Sequence, residues 1–201
     1  MSNKSGKGAS FERFVCVQLS EWWSKGRRQD IFWRTSMSGG RATVRSKKGK
    51  ATFGAYGDIT AVDPIGRPLT EYCTIELKRG YRDTNFGDSL DKATGKGPTP
   101  WERFVTQAIR EKEPKARHWM LVLRRDHKRA LAFIPLKMFN ELRKYDPTPW
   151  FDPRPCPCVM MTLPDFVHER EGERIEIIGM KLTTLLKRMT PTTVKDLISH
   201  G

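Results

Sequence analysis

Glu76 and Lys78 stand two residues apart in the run "CTIELKR" (Cys73 to Arg79), where apolar and polar residues alternate. Successive strand side chains point to opposite faces, so Cys73, Ile75 and Leu77 share one face and Thr74, Glu76 and Lys78 the other. On its own a carboxylate two residues from an ammonium is most often an exposed ion pair, which is worth little. Upstream, Gly57-Asp58-Ile59 opens a second extended run, and a hairpin between the two brings Asp58 near Glu76 on the polar face. Two neighbouring carboxylates repel unless a cation lies between them. Hard oxygen ligands of this kind suit magnesium, with manganese as its substitute, and such ions keep several waters. An ion held there acidifies water and neutralises charge on a phosphate ester under attack. Lys78 beside it is placed to orient or deprotonate the attacking water, or to stabilise the crowded phosphorus.

The balance of charge agrees with a phosphate substrate. The chain has 201 residues, with 37 Lys and Arg against 23 Asp and Glu, a formal net charge of +14. Such an excess favours polyanion partners through phosphate contacts and counterion release. A solubility surface is the plainer explanation, and charge alone does not separate the two. Cys16 falls in a helical pattern and Cys73 in a strand, so both read as small buried residues. Cys156 and Cys158 form a C-x-C with no second pair and no His at ligand spacing, which argues against zinc. No disulfide framework is evident, as expected in a reducing cytoplasm. The N-terminus lacks the apolar core of a signal peptide, and no apolar run is long enough to span a bilayer. These features predict a cytoplasmic protein without a membrane partner.

The elements that must carry these residues follow from periodicity. A helix is predicted from a Ser10 N-cap, with Phe11, Val15, Leu19 and Trp22 at helical spacing and Gly26 just past its end. A strand at "DIFWRTS" leads into a Gly-, Ser-, Lys- and Arg-rich loop over 35–57. Strand "DITAVD" ends at Pro64, "IGRP" reads as a turn, and "EYCTIELK" returns as an antiparallel hairpin. A long polar connection over 79–100 follows, of the kind that is usually functional or disordered. Thr99 caps the next helix, Pro100 suits its first turn, and Trp101, Phe104, Val105, Ala108 and Ile109 form its apolar stripe. "HWMLVL" and "ALAFIPL" read as strands, the first buried on both faces. A proline-rich extended segment, the strand "RIEIIGM" and one or two short helices complete the chain. This order predicts an α/β fold with a mixed central sheet flanked by helices. It divides into a core domain over 1–145 and an extension over 146–201 packed on that core.

"GD" at Gly57-Asp58 followed by "ELK" at Glu76 to Lys78 resembles the PD-(D/E)XK nuclease signature, with Gly57 where Pro is usual. Within that superfamily the chain is similar to archaeal-type Holliday junction resolvases. The likeness lies in "KGASFER" (Lys7 to Arg13), and in Arg34 followed by "SGG" (Ser38 to Gly40) ahead of the Asp and the E-x-K. It covers roughly the first half of the chain, and the whole resembles nuclease-like proteins commonly encoded by phages and prophages. The resemblance implies a restriction-endonuclease-like core and a magnesium-dependent DNA endonuclease acting on four-way junctions. It assigns metal binding to Asp58 and Glu76 with the Leu77 carbonyl as third ligand, and the nucleophilic water to Lys78. Glu12 would orient water or bind a second metal, and Gln107 would face the site from the later helix. Symmetric cutting of a junction implies a homodimer. A phage-encoded protein of this kind would work in the host cytoplasm.

Arg41, Arg45, Lys47, Lys48 and Lys50 cluster in the loop before Asp58. A charge run is usually a solvated segment, but this one is anchored at the proposed site. Gly39 and Gly40 let backbone amides approach phosphates. Arg34, Ser38 and, beyond the E-x-K, Arg79 are further phosphate contacts, which fix register without reading sequence. No helix is patterned for reading bases in the major groove, so structure-selective binding is expected. Two rival readings stand beside this one: a non-catalytic nucleic-acid-binding accessory protein on a nuclease-like fold, and a basic interaction protein. Whether the carboxylates converge discriminates among them.

Overall fold

A computed structural model describes residues 4–35, 56–81, 84, 86–89, 97–145, 158–163 and 175–200. The first helix, α1 (Lys4–Ser24), buries Phe11, Val15, Leu19 and Trp23 on one stripe. It begins before Ser10, so Ser10 is not its cap. No proline interrupts the chain between Lys4 and Ser10, and the helix simply continues through a residue type that favours caps. Lys25 and Gly26 end it with φ of 55° and 81°, and the Gly26 N–H returns to the Glu21 carbonyl at 2.7 Å. The buried Ser20 hydroxyl accepts the N–H groups of Ile31 and Phe32 at 3.2 and 3.0 Å. That bond fastens α1 to the first strand.

β1 (Phe32–Arg34) pairs antiparallel with β2 (Ile59–Ala61) as a separate two-stranded sheet. The expected hairpin from β2 into the next strand does not form. Pro64–Gly66 is a 3-10 helix capped by the Asp63 side chain, and Arg67–Tyr72 is a helix, α2, with a proline in its first turn. Proline is preorganised for that position, so "IGRP" starts a helix where a turn was expected. Glu71 and Tyr72 accordingly belong to α2, and β3 (Cys73–Arg79) starts at Cys73.

The main sheet has the order β3-β4-β5-β7-β6, with β4 (His118–Arg124), β5 (Leu131–Pro135), β6 (Cys158–Leu163) and β7 (Ile175–Lys181). Only β3 and β4 run parallel; the other pairs are antiparallel. The sheet is thus mixed, as predicted. Its strands extend into the last quarter of the chain, because β7 pairs directly with β5. The strand β6 was not anticipated. Nor was the helix α4 (Leu136–Tyr145), although Met138, Phe139 and Leu142 have helical spacing and are buried.

Helices cover both faces. On one lies α3 (Pro100–Arg110), whose Trp101, Phe104, Val105 and Ala108 pack on Trp119, Leu121, Leu123 and Phe133. Its start is the expected one: Thr99 and Glu102 form a reciprocal capping box. The other face is packed by α1, α2, α4, α5 (Leu182–Arg188) and α6 (Pro191–Ser199) around Cys73, Ile75, Leu77, Met120 and Val122. Both faces of β3 are therefore walled, and Glu76 lies inside the protein. Among the described residues no helix is long and apolar enough to cross a membrane.

Candidate active site

β3 is the edge strand of the main sheet, and its outward backbone groups receive the chain that carries Asp58. The Asp58 N–H donates to the Ile75 carbonyl and the Leu77 N–H donates to Asp58 Oδ2, both at 2.8 Å. The N–H and C=O of one strand residue point to the same side. The Leu77 carbonyl therefore also points to the edge where Asp58 lies. Thr35, at the end of β1, closes the arrangement from behind. Its hydroxyl donates to the Gly57 carbonyl at 2.9 Å and its N–H to the Asp58 carbonyl at 3.0 Å.

Gly57 has a φ of 65°, and a Cβ built on it would lie 2.6 Å from the Ile75 carbonyl oxygen. The glycine is a requirement of this backbone. Proline, held near −65°, does not fit the position as it is built here, which is the physical content of the departure from the usual motif.

Glu76 is only 3% exposed, and Lys78 Nζ meets its Oε1 at 2.6 Å. The Phe104 ring centroid lies 5.8 Å from the same ammonium, and Tyr81 packs on Phe104 at 4.5 Å. Burial raises the pKa of Asp58; the Leu77 N–H and the Lys78 charge oppose it, while Glu12 and Glu111 add to it. Glu76 is raised by burial first and by the Asp58 charge second, against the pull of Lys78. For Lys78, burial works to lower the ammonium, but the Glu76 and Asp58 charges outweigh it and the net shift is upward. Two acids with raised affinity for a proton, beside one firmly charged lysine, have the electrostatics of a site short of positive charge.

Glu12 and Arg34 form an ion pair at 2.9 Å. Glu12 lies close enough to act on Asp58 electrostatically, and Arg34 is committed at least partly to Glu12. Gln107 reaches neither Asp58 nor Glu76 by a hydrogen bond among the described residues. Its amide donates to Glu111 at 3.2 Å, and Glu111 is the acid that influences both site carboxylates. Sequence reasoning missed Glu111 and Thr35. Glu111 follows Gln107 by one helical turn, a spacing that puts both on one face; Thr35 had no comparable signal. Arg79 ends β3, and its Nε is buried without a hydrogen-bond partner among the described residues. Ser38, Gly39, Arg41, Arg45, Lys47, Lys48 and Lys50 lie outside the described residues, as do Cys156 and the proline-rich run 146–157. Burial pushes the Cys16 and Cys73 thiols up to about 12, consistent with inert core residues.

The donor set fits a hard divalent ion: the buried Glu76, the half-buried Asp58 and the Leu77 carbonyl offer oxygen only. Among the described residues no three acidic, His or Cys side chains converge closely enough to hold a metal by themselves.

A mixed sheet walled by helices, with an aspartate docked against the strand that carries E-x-K, defines the PD-(D/E)XK nuclease class. The family described as "Phage putative PDDEXK endonuclease" matches residues 3–153, and the chain belongs to that family. No curated protein and no solved structure matches it.

Proposed function

We propose that the protein is a metal-dependent DNA endonuclease that hydrolyses phosphodiester bonds through Asp58, Glu76 and Lys78, with magnesium as its ion and manganese as substitute. The observation that carries this reading is the seating of Asp58 on the N–H of Leu77, which lies between Glu76 and Lys78. Convergence of the two acids is what separates the catalytic reading from a non-catalytic binding protein on the same fold. When bound, the ion supplies Lewis acidity toward the phosphate and toward water. Asp58, Glu76 and the Leu77 carbonyl would hold it, and Lys78 would direct its ammonium to the attacking water. Glu12, tethered to Arg34, orients water on the α1 side, and the Gln107–Glu111 pair closes the opposite side.

Four-way junctions are the favoured DNA structure. This rests on the likeness of "KGASFER", Arg34 and "SGG" to junction resolvases, with Arg34, Arg79 and the basic residues from Arg41 to Lys50 as phosphate contacts. A two-fold homodimer would cut a junction symmetrically. The test is incubation of labelled junction, duplex, flap and single-stranded DNA with magnesium and with EDTA. Paired cuts in the junction arms that vanish with EDTA support the reading. Cleavage of plain duplex at equal rate removes junction selectivity, and no cleavage of any substrate removes the endonuclease.

A further inference from the structure

The sheet register carries the row of Lys78 across to the far side of the molecule. Lys78 pairs with Leu123, Leu123 with Leu131, and Leu131 with Lys181. Directly opposed residues of neighbouring strands share a face, so these four stand in one line on the α3 side of the sheet. Strands lie about 4.8 Å apart, which separates Lys78 from Lys181 by about 14 Å. The last three residues of the line, Leu123, Leu131 and Lys181, line a cavity of about 130 Å³ together with Arg125, Lys128 and Arg129.

The connection between β4 and β5 supplies Arg125, Lys128 and Arg129, and the end of β7 supplies Lys181. The Lys128 N–H donates to the Arg125 carbonyl at 3.1 Å, closing a tight turn in which His127 has a φ of 60°. Lys128, Arg129 and Lys181 are exposed. None of the four basic residues has a carboxylate at ion-pair distance among the described residues. Asp126, in the same turn, does not line the cavity. Elsewhere Arg28, Arg34 and Arg117 each meet a carboxylate, and Arg124 stacks over Phe14. Like charges drawn together repel, and an anion relieves that repulsion.

We propose that this cavity is a second phosphate-binding subsite for the DNA. The subsite would hold the DNA backbone beside the phosphate lying at Asp58, Glu76 and Lys78, with Lys181 as its most distant wall. Contacts of this kind set the register of the substrate without reading its sequence. The inference rests on the DNA endonuclease reading, and its test is independent of cleavage.

The triple variant Lys128→Ala, Arg129→Ala, Lys181→Ala, in a Glu76→Gln background that separates binding from cutting, is titrated with a short duplex at several salt concentrations. Three lost phosphate contacts lower the log–log salt slope by about 2.7. Lys115→Ala, Lys137→Ala, Lys144→Ala, exposed on the loop before β4 and on α4, removes the same charge and should leave the slope unchanged. An unchanged slope in the first variant overturns the subsite, and so does an equal fall in the second. Cleavage of junction or duplex by the unaltered chain, assayed separately, decides the endonuclease reading. If the chain binds DNA with the expected slopes but cuts nothing, the subsite stands and the endonuclease fails. If it binds no DNA, both fail.

Discussion

Asp58 Oδ2 accepts the Leu77 N–H at 2.8 Å, although the two residues belong to segments that do not pair as strands. A side chain thus occupies a place on the edge of β3 where a ladder partner's carbonyl would otherwise stand. It brings a carboxylate to the backbone between Glu76 and Lys78 without a hairpin.

Removing either acid separates chemistry from binding. Asp58→Asn and Glu76→Gln should each lower the cleavage rate by about 10²- to 10³-fold or more, the scale of losing one group aimed at developing charge. DNA affinity should stay within a few-fold, since each change removes a negative charge near a polyanion. Lys78→Ala should inactivate while metal binding, read by calorimetry, persists. Full activity in any of the three overturns the roles assigned to them.

Gly57 is the backbone condition for Asp58. Gly57→Ala places a Cβ against the Ile75 carbonyl in a left-handed conformation, at a cost of about 1–3 kcal/mol. Gly57→Pro, which restores the common motif residue, should be at least as harmful because it cannot adopt the positive φ. Denaturant melts measure the first quantity, and single-turnover cleavage reports whether Asp58 is displaced. A Gly57→Pro protein with undiminished stability and activity contradicts the backbone seen here.

Stability should fall as pH rises, and divalent ions should reverse the fall. Asp58 and Glu76 have folded pKa values above their ordinary ones, so the folded state binds more protons than the unfolded. Stability then declines from about pH 4 upward into the neutral range, as those protons are lost. A divalent ion held by the two carboxylates would replace them. Magnesium should therefore raise the melting temperature more at pH 8 than at pH 5, and Glu76→Gln should flatten both dependences. A magnesium effect that is the same at both pH values, or that survives in Glu76→Gln, argues that the ion binds elsewhere.

The choice of ion tests the small number of protein ligands. Manganese should support cleavage in place of magnesium. Calcium should support DNA binding with little cleavage, because its larger and looser shell positions and acidifies water less well. Equal rates in calcium, or cleavage unaltered by EDTA, contradict a mechanism through two carboxylates and an ion.

Much of the site is written locally. The alternation of "CTIELK" placed Glu76 and Lys78 on one face of a strand, and β3 is that strand, because a period of two survives any packing that keeps the segment extended. The capped start of α3 is legible for the same reason: Thr99 and Glu102 satisfy each other's N–H groups within a single turn, and Pro100 needs no partner at its first position. The helical stripe of α4 was equally present in the residues and went unread.

Other features depended on partners distant in the chain. Whether "IGRP" turns or starts a helix depends on what covers Leu69 and Tyr72, both fully buried in the completed core. With that helix in place, β3 pairs in parallel with β4, and the edge it leaves open receives Asp58. The need for glycine at Gly57 arises only in the folded chain, where the Ile75 carbonyl stands where a Cβ would be. Glu111 acquires its influence only when α3 lies antiparallel over β3 and ends beside Thr74, whose hydroxyl accepts the Glu113 N–H. Residue types and their short-range order thus named the acids and the lysine. Their protonation, their mutual distance and the line from Lys78 to Lys181 arise from burial and strand register, which no local segment contains.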